Sequence, residues 1–469
     1  MSPSPFEQAR LDFDAGTLVL HGWSQEGIDR VFPHDLWHWD LRIQAFRTEA
    51  MHYPTVRALL EKRSVGTLLA LERWQSICFA KNELPELRLE QVAAVEAWSR
   101  ERRGIIVMPT GTGKTEVALR IITDSSCSTL VVAPIRDLMY QWHRRILRSL
   151  DYDAGIIGDN TYNVKALSVT TYDSACIHMP TLGNRFKLII FDECHHLPGR
   201  VRRDAAQMSM APMRLGLTAT LERADGKHAD LERLLGPVRY RLEIQQVRGK
   251  SLADYDVFRV PVHLSEVERE RYDRLAAEIQ TYYFQRIQED PSFDWETLCA
   301  ESNSDPVSRR ALQSFREKKS IEDRAEEKLR VLEDLFRLHQ GSPILVFTGS
   351  NAMAREISKR FLVPCLLSHC GKRERLDYLE GLRDGRYPVL VANRILDEGV
   401  DLPEVKVAII VGGMASSKQA KQRLGRVLRK SGDSRAILYE VVTSETNEVI
   451  RSRKRRSSDA YTGTRHRRL

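Results

Sequence analysis

The stretch GIIVMPTGTGKTEVALRII, residues 104–122, decides the fold of this chain. Its first five residues form an apolar run typical of a buried strand, and the glycine-rich PTGTGKT, residues 109–115, follows directly. A predicted helix begins after the loop, at Glu116, and its apolar residues have helical spacing. A strand, a glycine-rich loop and a helix in this order are the context of a phosphate-binding loop. The pattern therefore predicts an α/β fold with a nucleotide site at the end of a parallel strand.

The side chains of this loop suit a nucleotide triphosphate. Backbone N–H groups of the loop and of the helix N-terminus would hold the β-phosphate. Lys114 would reach the β- and γ-phosphates, and the hydroxyl of Thr115 would hold Mg²⁺. The full pattern has a small residue at position 108, where this chain has Met. The departure is mild, because every residue expected to contact phosphate is present.

A second stretch, FDECHHLP at residues 191–198, supplies the acids that such a site needs. The run 186–191 before it is predicted to be a buried parallel strand, which places the acids at the strand's carboxyl end, where open α/β sheets bind ligands. Side chains alternate between the faces of a strand, so adjacent residues do not converge as zinc ligands do. We predict that Asp192 holds Mg²⁺, directly or through water, and that Glu193 is the general base. His195 is predicted to relay the state of the nucleotide to neighbouring loops.

The composition is that of a soluble globular protein with several domains. The chain has 469 residues, 42% hydrophobic and 29% charged, which is too long for one core. Its net charge of +8 is concentrated in a basic tail that begins at Arg451 and is expected to be solvated and disordered. The seven cysteines are scattered without a C-x2-C pair, which favours a reducing compartment. No apolar run reaches 18 residues, so we expect a cytoplasmic protein without a membrane partner.

A second αβ segment begins near residue 325. The runs 344–347, 363–367 and 389–392 are predicted strands, and 352–360 is a predicted helix. Near its end, QRLGRVLR at residues 422–429 is predicted to be a helix that carries Arg426 and Arg429 on one face. Two arginines aimed at a γ-phosphate would stabilise the charge of phosphoryl transfer.

Several motifs together resemble a known family. GTGKT, DECH, TAT (218–220), ILDEGVDLP (395–403) and QRLGRVLR occur in the order of motifs I, II, III, V and VI of superfamily 2 helicases. The stretches VVAPIRDLMYQW (131–142), VTTYDSA (169–175) and MSMAPMRLGLTAT (208–220) are similar to those of the XPB family of DNA repair and transcription helicases. The likeness is close over residues 85–245 and 325–445.

The resemblance implies an ATP-driven 3′–5′ DNA helicase or translocase, in an archaeal or bacterial form, that acts in nucleotide excision repair. It implies two RecA-like domains with ATP between them, a small N-terminal α+β damage-recognition domain and a helical, thumb-like insertion. The boundaries expected are residues 1–80 for the N-terminal domain, 81–245 for helicase domain 1, 246–325 for the linker and insertion, 326–448 for helicase domain 2, and 449–469 for the tail.

The resemblance also carries site residues onto this sequence. Arg88 and Gln91 match a segment that faces the adenine, and the other residues implied to bind the nucleotide are Thr110, Gly111, Thr112, Gly113, Lys114, Thr115, Gly399 and Asp401. Those implied to be catalytic are Lys114, Asp192, Glu193, His195, Gln422, Arg426 and Arg429. Those implied to contact DNA or couple it to hydrolysis are Arg136, Thr171, Thr218, Thr220, Arg223 and Asp225.

One departure from the family keeps an alternative open. The family's Arg-Glu-Asp motif corresponds here to Arg223-Ala224-Asp225, so the glutamate is missing and strand separation is in question. The alternative is a duplex translocase that remodels DNA or recruits a nuclease without unwinding. A slow, nucleotide-gated platform and an RNA substrate are further alternatives. The partners expected are DNA and a possible nuclease, and the chain is expected to be a monomer.

Overall fold

The computed structural model describes most of the chain. The residues described are 10–62, 71–81, 83–199, 201–221, 229–243, 246, 255–367, 369–393, 405–412, 436–456 and 466–468. The chain divides into two compact units, Met1–Glu243 and Ile244–Leu469. No helix in these ranges is both long and apolar enough to cross a bilayer.

The first unit begins with a small α+β layer, as predicted. Its described strands form an antiparallel sheet of order β1-β2-β4-β3, namely β1 (Arg10–Asp14), β2 (Thr17–His21), β3 (His38–Asp40) and β4 (Ala45–Glu49). The helices are α1 (Gln25–Val31) and α2 (Tyr53–Glu61), the latter preceded by a 3-10 turn, Ala50–His52.

The three tryptophans of this layer do not share one environment. Large aromatic side chains favour the core over stacking on bases, which predicts that all three are buried. Trp23 and Trp37 are buried in the core. Trp39 departs from this prediction and is 47% exposed, because it lies on β3 at the edge of the sheet, where it packs edge-on against Phe46.

The second layer of this unit is a sheet with helices between its strands. Eight described strands have the order β12-β5-β11-β10-β6-β9-β7-β8, and all pairs except β7–β8 are parallel. The strands are β5 (Arg103–Val107), β6 (Thr129–Ala133), β7 (Gly155–Gly158), β8 (Thr161–Tyr162), β9 (Leu167–Thr171), β10 (Leu188–Phe191), β11 (Met213–Thr218) and β12 (Val238–Arg241). The helices are α3 (Leu89–Ser99), α4 (Lys114–Ser125), α5 (Arg136–Leu150), α6 (Tyr172–Leu182), α7 (Asp204–Gln207) and α8 (Ala229–Leu235).

Strand order in this sheet places the motifs. The central strands β6 and β10 are largely apolar and fully buried, as expected of a parallel sheet covered by helices on both faces. β11 lies between β5 and β10, so the segment that follows it lies between the phosphate loop and the acids. All three segments leave the sheet at its carboxyl edge, where such sheets bind ligands.

The second unit contains the predicted helical insertion, which follows the strand Tyr255–Val262. Its helices are α9 (Glu266–Glu289), α10 (Trp295–Glu301) and α11 (Pro306–Asp323). Each begins at a side-chain cap, from Ser265, Asp294 and Asp305 respectively, as N-terminal N–H groups require. Arg309, one of the basic residues of this insertion, is engaged within it, because it donates to the carbonyls of Ser302 and Asn303.

A parallel sheet forms the rest of this unit. Its described strands have the order β15-β16-β14-β17-β18-β13-β19. They are β13 (Tyr255–Val262), β14 (Ile344–Thr348), β15 (Cys365–Leu366), β16 (Val389–Ala392), β17 (Val407–Val411), β18 (Ala436–Thr443) and β19 (His466–Arg468). The helices are α12 (Glu326–Leu338), α13 (Asn351–Phe361), α14 (Lys372–Asp384) and α15 (Asn447–Arg456).

The end of the chain is more ordered than the sequence suggested. A disordered tail was expected from residue 449, but α15 continues to Arg456 and β19 pairs with β13. The helix is held because Glu448 and Ser452 are buried against β18 and Arg451 forms an ion pair with Glu322. Charge composition alone did not reveal these partners.

Candidate nucleotide site

The loop between β5 and α4 has the backbone of a phosphate cradle. Gly111 and Gly113 have φ values of 87° and 84°, in the left-handed region that favours glycine. A Cβ atom at Gly113 would lie 2.2 Å from Nε2 of Gln91, so no larger residue fits there. Lys114 is the first residue of α4, which starts two residues earlier than the apolar pattern indicated. The N–H groups at this helix terminus therefore face the loop.

Gln91 and Arg88 support the loop from α3. Nε2 of Gln91 and an Arg88 guanidinium nitrogen donate to the carbonyl of Thr112, at 2.9 and 2.6 Å. Oε1 of Gln91 accepts from the Arg88 backbone N–H at 2.9 Å. Gln91 is buried and uses both ends of its amide inside the protein. The contact with adenine implied by the resemblance stays a prediction, and the contact with the loop is an additional one that the sequence did not indicate.

The polar side chains of the loop differ in how they are satisfied. Lys114 Nζ donates to the carbonyl of Met108 at 3.2 Å, and Thr112 Oγ1 donates to Pro109 at 2.7 Å. Thr110 Oγ1 is buried and has no hydrogen-bond partner among the described residues. Met108 is fully buried, so the larger residue at this position is accommodated within the core.

Asp192 lies just beyond β10 and is held by neutral donors. Its Oδ1 accepts from the Glu193 backbone N–H at 3.0 Å, and its Oδ2 accepts from the indole N–H of Trp142 at 2.9 Å. Burial, together with the neighbouring charge of Glu193, raises the pKa of Asp192 to about 6, while Trp142 and Lys114 act in the opposite direction. The carboxylate is thus a partly buried charge without a direct cationic partner in the described part of the chain.

Glu193 adopts a backbone conformation that costs energy. Its φ and ψ are 47° and 53°, in the left-handed region that non-glycine residues rarely occupy. Such residues cluster at functional sites, where the surrounding structure holds them in place. Its Oε2 is buried, lies 3.4 Å from His195 Nδ1 and accepts no hydrogen bond from the residues that the structure describes. The geometry leaves a carboxylate oxygen free to accept a proton.

His195 joins the acids to the segment after β11. Its Nδ1 lies 3.0 Å from Thr218 Oγ1. The single hydroxyl proton of Thr218 points to the carbonyl of Thr220 at 2.6 Å, so Nδ1 of His195 must be the donor in the first contact. The carbonyl of Thr218 accepts from the Met108 N–H at 3.0 Å. Thr218 therefore contacts both the acidic motif and Met108, the residue that precedes the phosphate loop, an arrangement that suits a relay through His195.

The residues expected to contact DNA have structural partners of their own. Arg136 begins α5, is mostly exposed and forms an ion pair with Asp159 at 2.7 Å. Thr171 caps α6 through Ser174 and is buried, so its hydroxyl is already engaged. Thr220 Oγ1 is buried and has no hydrogen-bond partner within the described ranges. DNA contact by these residues stays a prediction.

Seven site residues fall outside the described part of the chain. They are Arg223, Asp225, Gly399, Asp401, Gln422, Arg426 and Arg429, and Ala224 lies outside it as well. Their predicted roles rest on the sequence alone.

Two functional contacts were missed by the sequence analysis. Trp142 donates to Asp192 from 50 residues away, and Tyr172 donates from its hydroxyl to the Asp192 carbonyl at 3.0 Å. Both residues lie in stretches that resemble the family, VVAPIRDLMYQW and VTTYDSA. That likeness was the available signal, but apolar periodicity cannot indicate which oxygen an indole or a phenol reaches.

The donor set suits magnesium better than zinc. Asp192 and Thr115 offer hard oxygen ligands, and Mg²⁺ keeps most of its remaining positions for water and phosphate oxygens. Cys194 is fully buried in the core of the sheet, and burial raises the pKa of its thiol, which keeps it protonated. Among the described residues, no three His, Cys, Asp or Glu side chains are grouped as metal ligands would be.

Comparisons with known proteins agree with the architecture. Residues 11–67 match the xeroderma pigmentosum group B helicase damage recognition domain, residues 84–223 the res subunit of type III restriction enzymes, and residues 327–431 the helicase conserved C-terminal domain. The solved helicase domain of Pyrococcus furiosus Hef has a TM-score of 0.55 at 17% identity, over 79% of this chain and 98% of that one. The fold is therefore that of two tandem RecA-like helicase domains that follow a small N-terminal domain along the chain.

Curated relatives narrow the assignment. The DNA 3′–5′ translocase XPB2 of Sulfurisphaera tokodaii is 39% identical over 419 residues, which are 89% of this chain and 95% of that protein. The DNA 3′–5′ helicase XPB of Kineococcus radiotolerans is 30% identical over 77% of this chain and 60% of its own length. With a relative of this similarity matched over nearly its whole length, the chain belongs to the XPB family of superfamily 2 DNA helicases.

Proposed function

We propose that this protein is an ATP-dependent DNA helicase that moves 3′ to 5′ and acts in DNA repair, in nucleotide excision repair. Membership of the XPB family supports ATP-dependent action on DNA, and the names of both relatives support the direction. The observation that carries the proposal is the position of Thr218 between the phosphate loop and the acids. A motor needs such a link, because hydrolysis must change contacts made elsewhere.

The hydrolytic step follows from the residues at the carboxyl edge of the eight-stranded sheet. The loop N–H groups and Lys114 bind the phosphates of ATP, which is the substrate. Glu193 accepts the proton of the attacking water, for which its buried, unbonded Oε2 is suited. Asp192 and Thr115 would hold Mg²⁺, which when bound neutralises charge on the phosphate oxygens. Arg426 and Arg429 are proposed, from the sequence, to stabilise the transferred phosphoryl charge.

The coupling step uses the contacts around Thr218. A movement of His195 would shift Thr218, because the two share a hydrogen bond. A shift of Thr218 would in turn move Thr220, whose carbonyl accepts a hydrogen bond from the Thr218 hydroxyl. The segment that follows, which contains Arg223 and Asp225, is the proposed place of DNA contact and strand separation. Phosphate contacts there would position DNA without reading its sequence.

The experiment is steady-state ATP hydrolysis with and without single-stranded DNA, beside strand displacement on 3′-tailed and 5′-tailed duplexes. We expect DNA to stimulate hydrolysis, and displacement to occur on the 3′-tailed duplex only. Lys114→Ala serves as the control and should remove hydrolysis almost entirely, because the phosphates lose their cation.

Three other results would change the assignment. Stimulation without displacement would indicate a translocase, consistent with Ala224 in place of the family's glutamate. Stimulation by RNA but not DNA would reject the DNA substrate. Full hydrolysis by Lys114→Ala would reject the phosphate-loop assignment itself.

A further inference from the structure

Trp142 has an unusual place for a core tryptophan. Its side chain is 3% exposed and lies on α5, the helix that follows β6, the neighbour of β10 in the sheet. Its indole N–H does not reach a backbone carbonyl but the carboxylate of Asp192, at 2.9 Å. A hydrogen bond to an ionised group is stronger than one between neutral groups and has a more defined geometry.

The indole fixes how the Asp192 carboxylate is turned. Oδ1 is held by the Glu193 backbone N–H, and Oδ2 is held by Trp142. With one donor on each oxygen, the carboxyl plane has a set orientation, and each oxygen keeps a lone pair for a further partner. Tyr172 fixes the backbone of the same residue by donating to its carbonyl. Without the indole, rotation about the Cβ–Cγ bond would be opposed at one oxygen only.

The same helix also contacts the other proposed magnesium donor. Arg145 on α5 forms an ion pair with Glu116, which is adjacent to Thr115 on α4. One helix therefore bears on both the carboxylate of Asp192 and the first turn that carries the Thr115 hydroxyl.

We infer that Trp142 is a positioning residue for ATP hydrolysis: by donating to Oδ2 it presents the Asp192 carboxylate to Mg²⁺ in one orientation. The inference rests on the proposed function, in which Asp192 is the magnesium ligand. Outer partners of metal ligands typically contribute 10- to 100-fold to metal affinity or activity because they orient the ligand. Trp142 would act in this way through Asp192, without touching the nucleotide.

A matched control exists in the same unit. Trp98 is also buried, at 1% exposure, and its indole N–H also donates to an oxygen, the backbone carbonyl of Arg214, at 3.0 Å. Trp98→Phe and Trp142→Phe both remove one buried indole and one hydrogen bond. They differ in whether the acceptor is the proposed magnesium ligand. Loss of packing alone would affect the two variants alike.

The test is a magnesium titration of fluorescent ATP-analogue binding to the full chain, with binding in EDTA measured separately. For Trp142→Phe we expect a roughly tenfold or greater rise in the magnesium concentration that gives half of the maximal increase in ATP-analogue binding. Binding in EDTA should stay near wild type, because Lys114 and the loop are unchanged. Trp98→Phe should match the wild-type magnesium requirement. Trp142→His, which keeps a ring N–H, should recover part of the loss.

The other possible results would contradict either the role of Trp142 or the proposed magnesium site. A wild-type magnesium requirement in Trp142→Phe would overturn the inference, as would an equal shift in Trp98→Phe. If Trp142→Phe weakens binding in EDTA and with magnesium by the same factor, Trp142 is a packing residue and the inference fails. If magnesium does not enhance binding to the wild-type protein, the proposed magnesium site itself fails, which is a separate result.

Discussion

Each of the two large sheets has an acid within five residues of the end of one of its strands, and the two acids have different partners. Asp192 follows β10 and is held by an indole and a backbone N–H. Glu448 follows β18, and its Oε2 accepts from the Thr443 N–H at 2.9 Å and from Lys328 Nζ at 2.7 Å. Lys328 and Glu448 are both fully buried. The first acid has neutral donors, and the second has a cation in direct contact.

An unbonded oxygen does not by itself distinguish a functional acid. Glu193 Oε2 and Glu448 Oε1 are both buried without a hydrogen bond from the described residues. The presence of the cation does distinguish them, because a paired charge has its compensation inside the protein, whereas an unpaired one needs a ligand to supply it. From this comparison we expect Asp192 and Glu193 to serve a ligand and Glu448 to maintain structure.

The surroundings of Lys328 agree with a structural role. Lys328 also donates to the carbonyl of Glu322 at 2.6 Å, and the Glu322 carboxylate contacts Tyr272 and Arg451. Burial raises the pKa of Glu322, and Arg451 opposes this shift. These residues belong to α12, α11, α9 and α15, so the cluster joins the helical insertion to the C-terminal helix.

The largest expected effect comes from replacing the proposed base. Glu193→Gln should lower the rate of ATP hydrolysis by about 10²- to 10⁴-fold, because the amide cannot accept the proton of water. ATP binding and the unfolding temperature should stay close to wild type. Steady-state hydrolysis and fluorescent-nucleotide binding measure the two properties. Loss of binding would instead identify Glu193 as a ligand of the nucleotide.

The corresponding glutamate-to-glutamine change at Glu448 should lower the stability of the protein. Glu448→Gln leaves Lys328 buried without its counter-charge, which typically costs about 3–5 kcal/mol of the free energy of unfolding. Denaturant unfolding measures it. The double variant Lys328→Met with Glu448→Met should recover most of that stability, since a well-packed apolar pair replaces a buried ion pair at little cost. A Glu448→Gln protein as stable as wild type would remove the distinction between the two acids.

A smaller effect should appear in the pH dependence of stability. The pKa of Asp192 is raised in the folded chain to about 6, so its contribution to stability is present at low pH and is lost as pH rises through that value. Without nucleotide, the free energy of unfolding of the wild type relative to Asp192→Asn should therefore fall between about pH 4 and pH 7, by up to about 3 kcal/mol. The fall should be smaller in a Glu193→Gln background, because the charge of Glu193 contributes to the shift. A difference that does not vary with pH would mean that Asp192 is not a destabilised charge.

Much of the site was predictable because its signals are local. The strand, loop and helix of residues 104–122 and the acids after β10 lie where the sequence indicated, with helix ends displaced by one to three residues. Trp39 and residues 449–456 were mispredicted, because exposure and helix formation there depend on which neighbour the fold brings. The choice of Thr112 as the partner of Gln91 likewise depended on the position of α3 against the loop.

The sequence by itself determined the chemical inventory, the alternation of strands and helices, and the family. Apolar periodicity and motif order are written along the chain, so they survive without knowledge of the fold. Only the tertiary structure decided that β11 lies between β5 and β10, that Trp142 reaches Asp192, and that Lys328 meets Glu448 across 120 residues. The physical reason is that a buried polar atom must find a partner in space, and strand order decides which distant residue is near enough to be one.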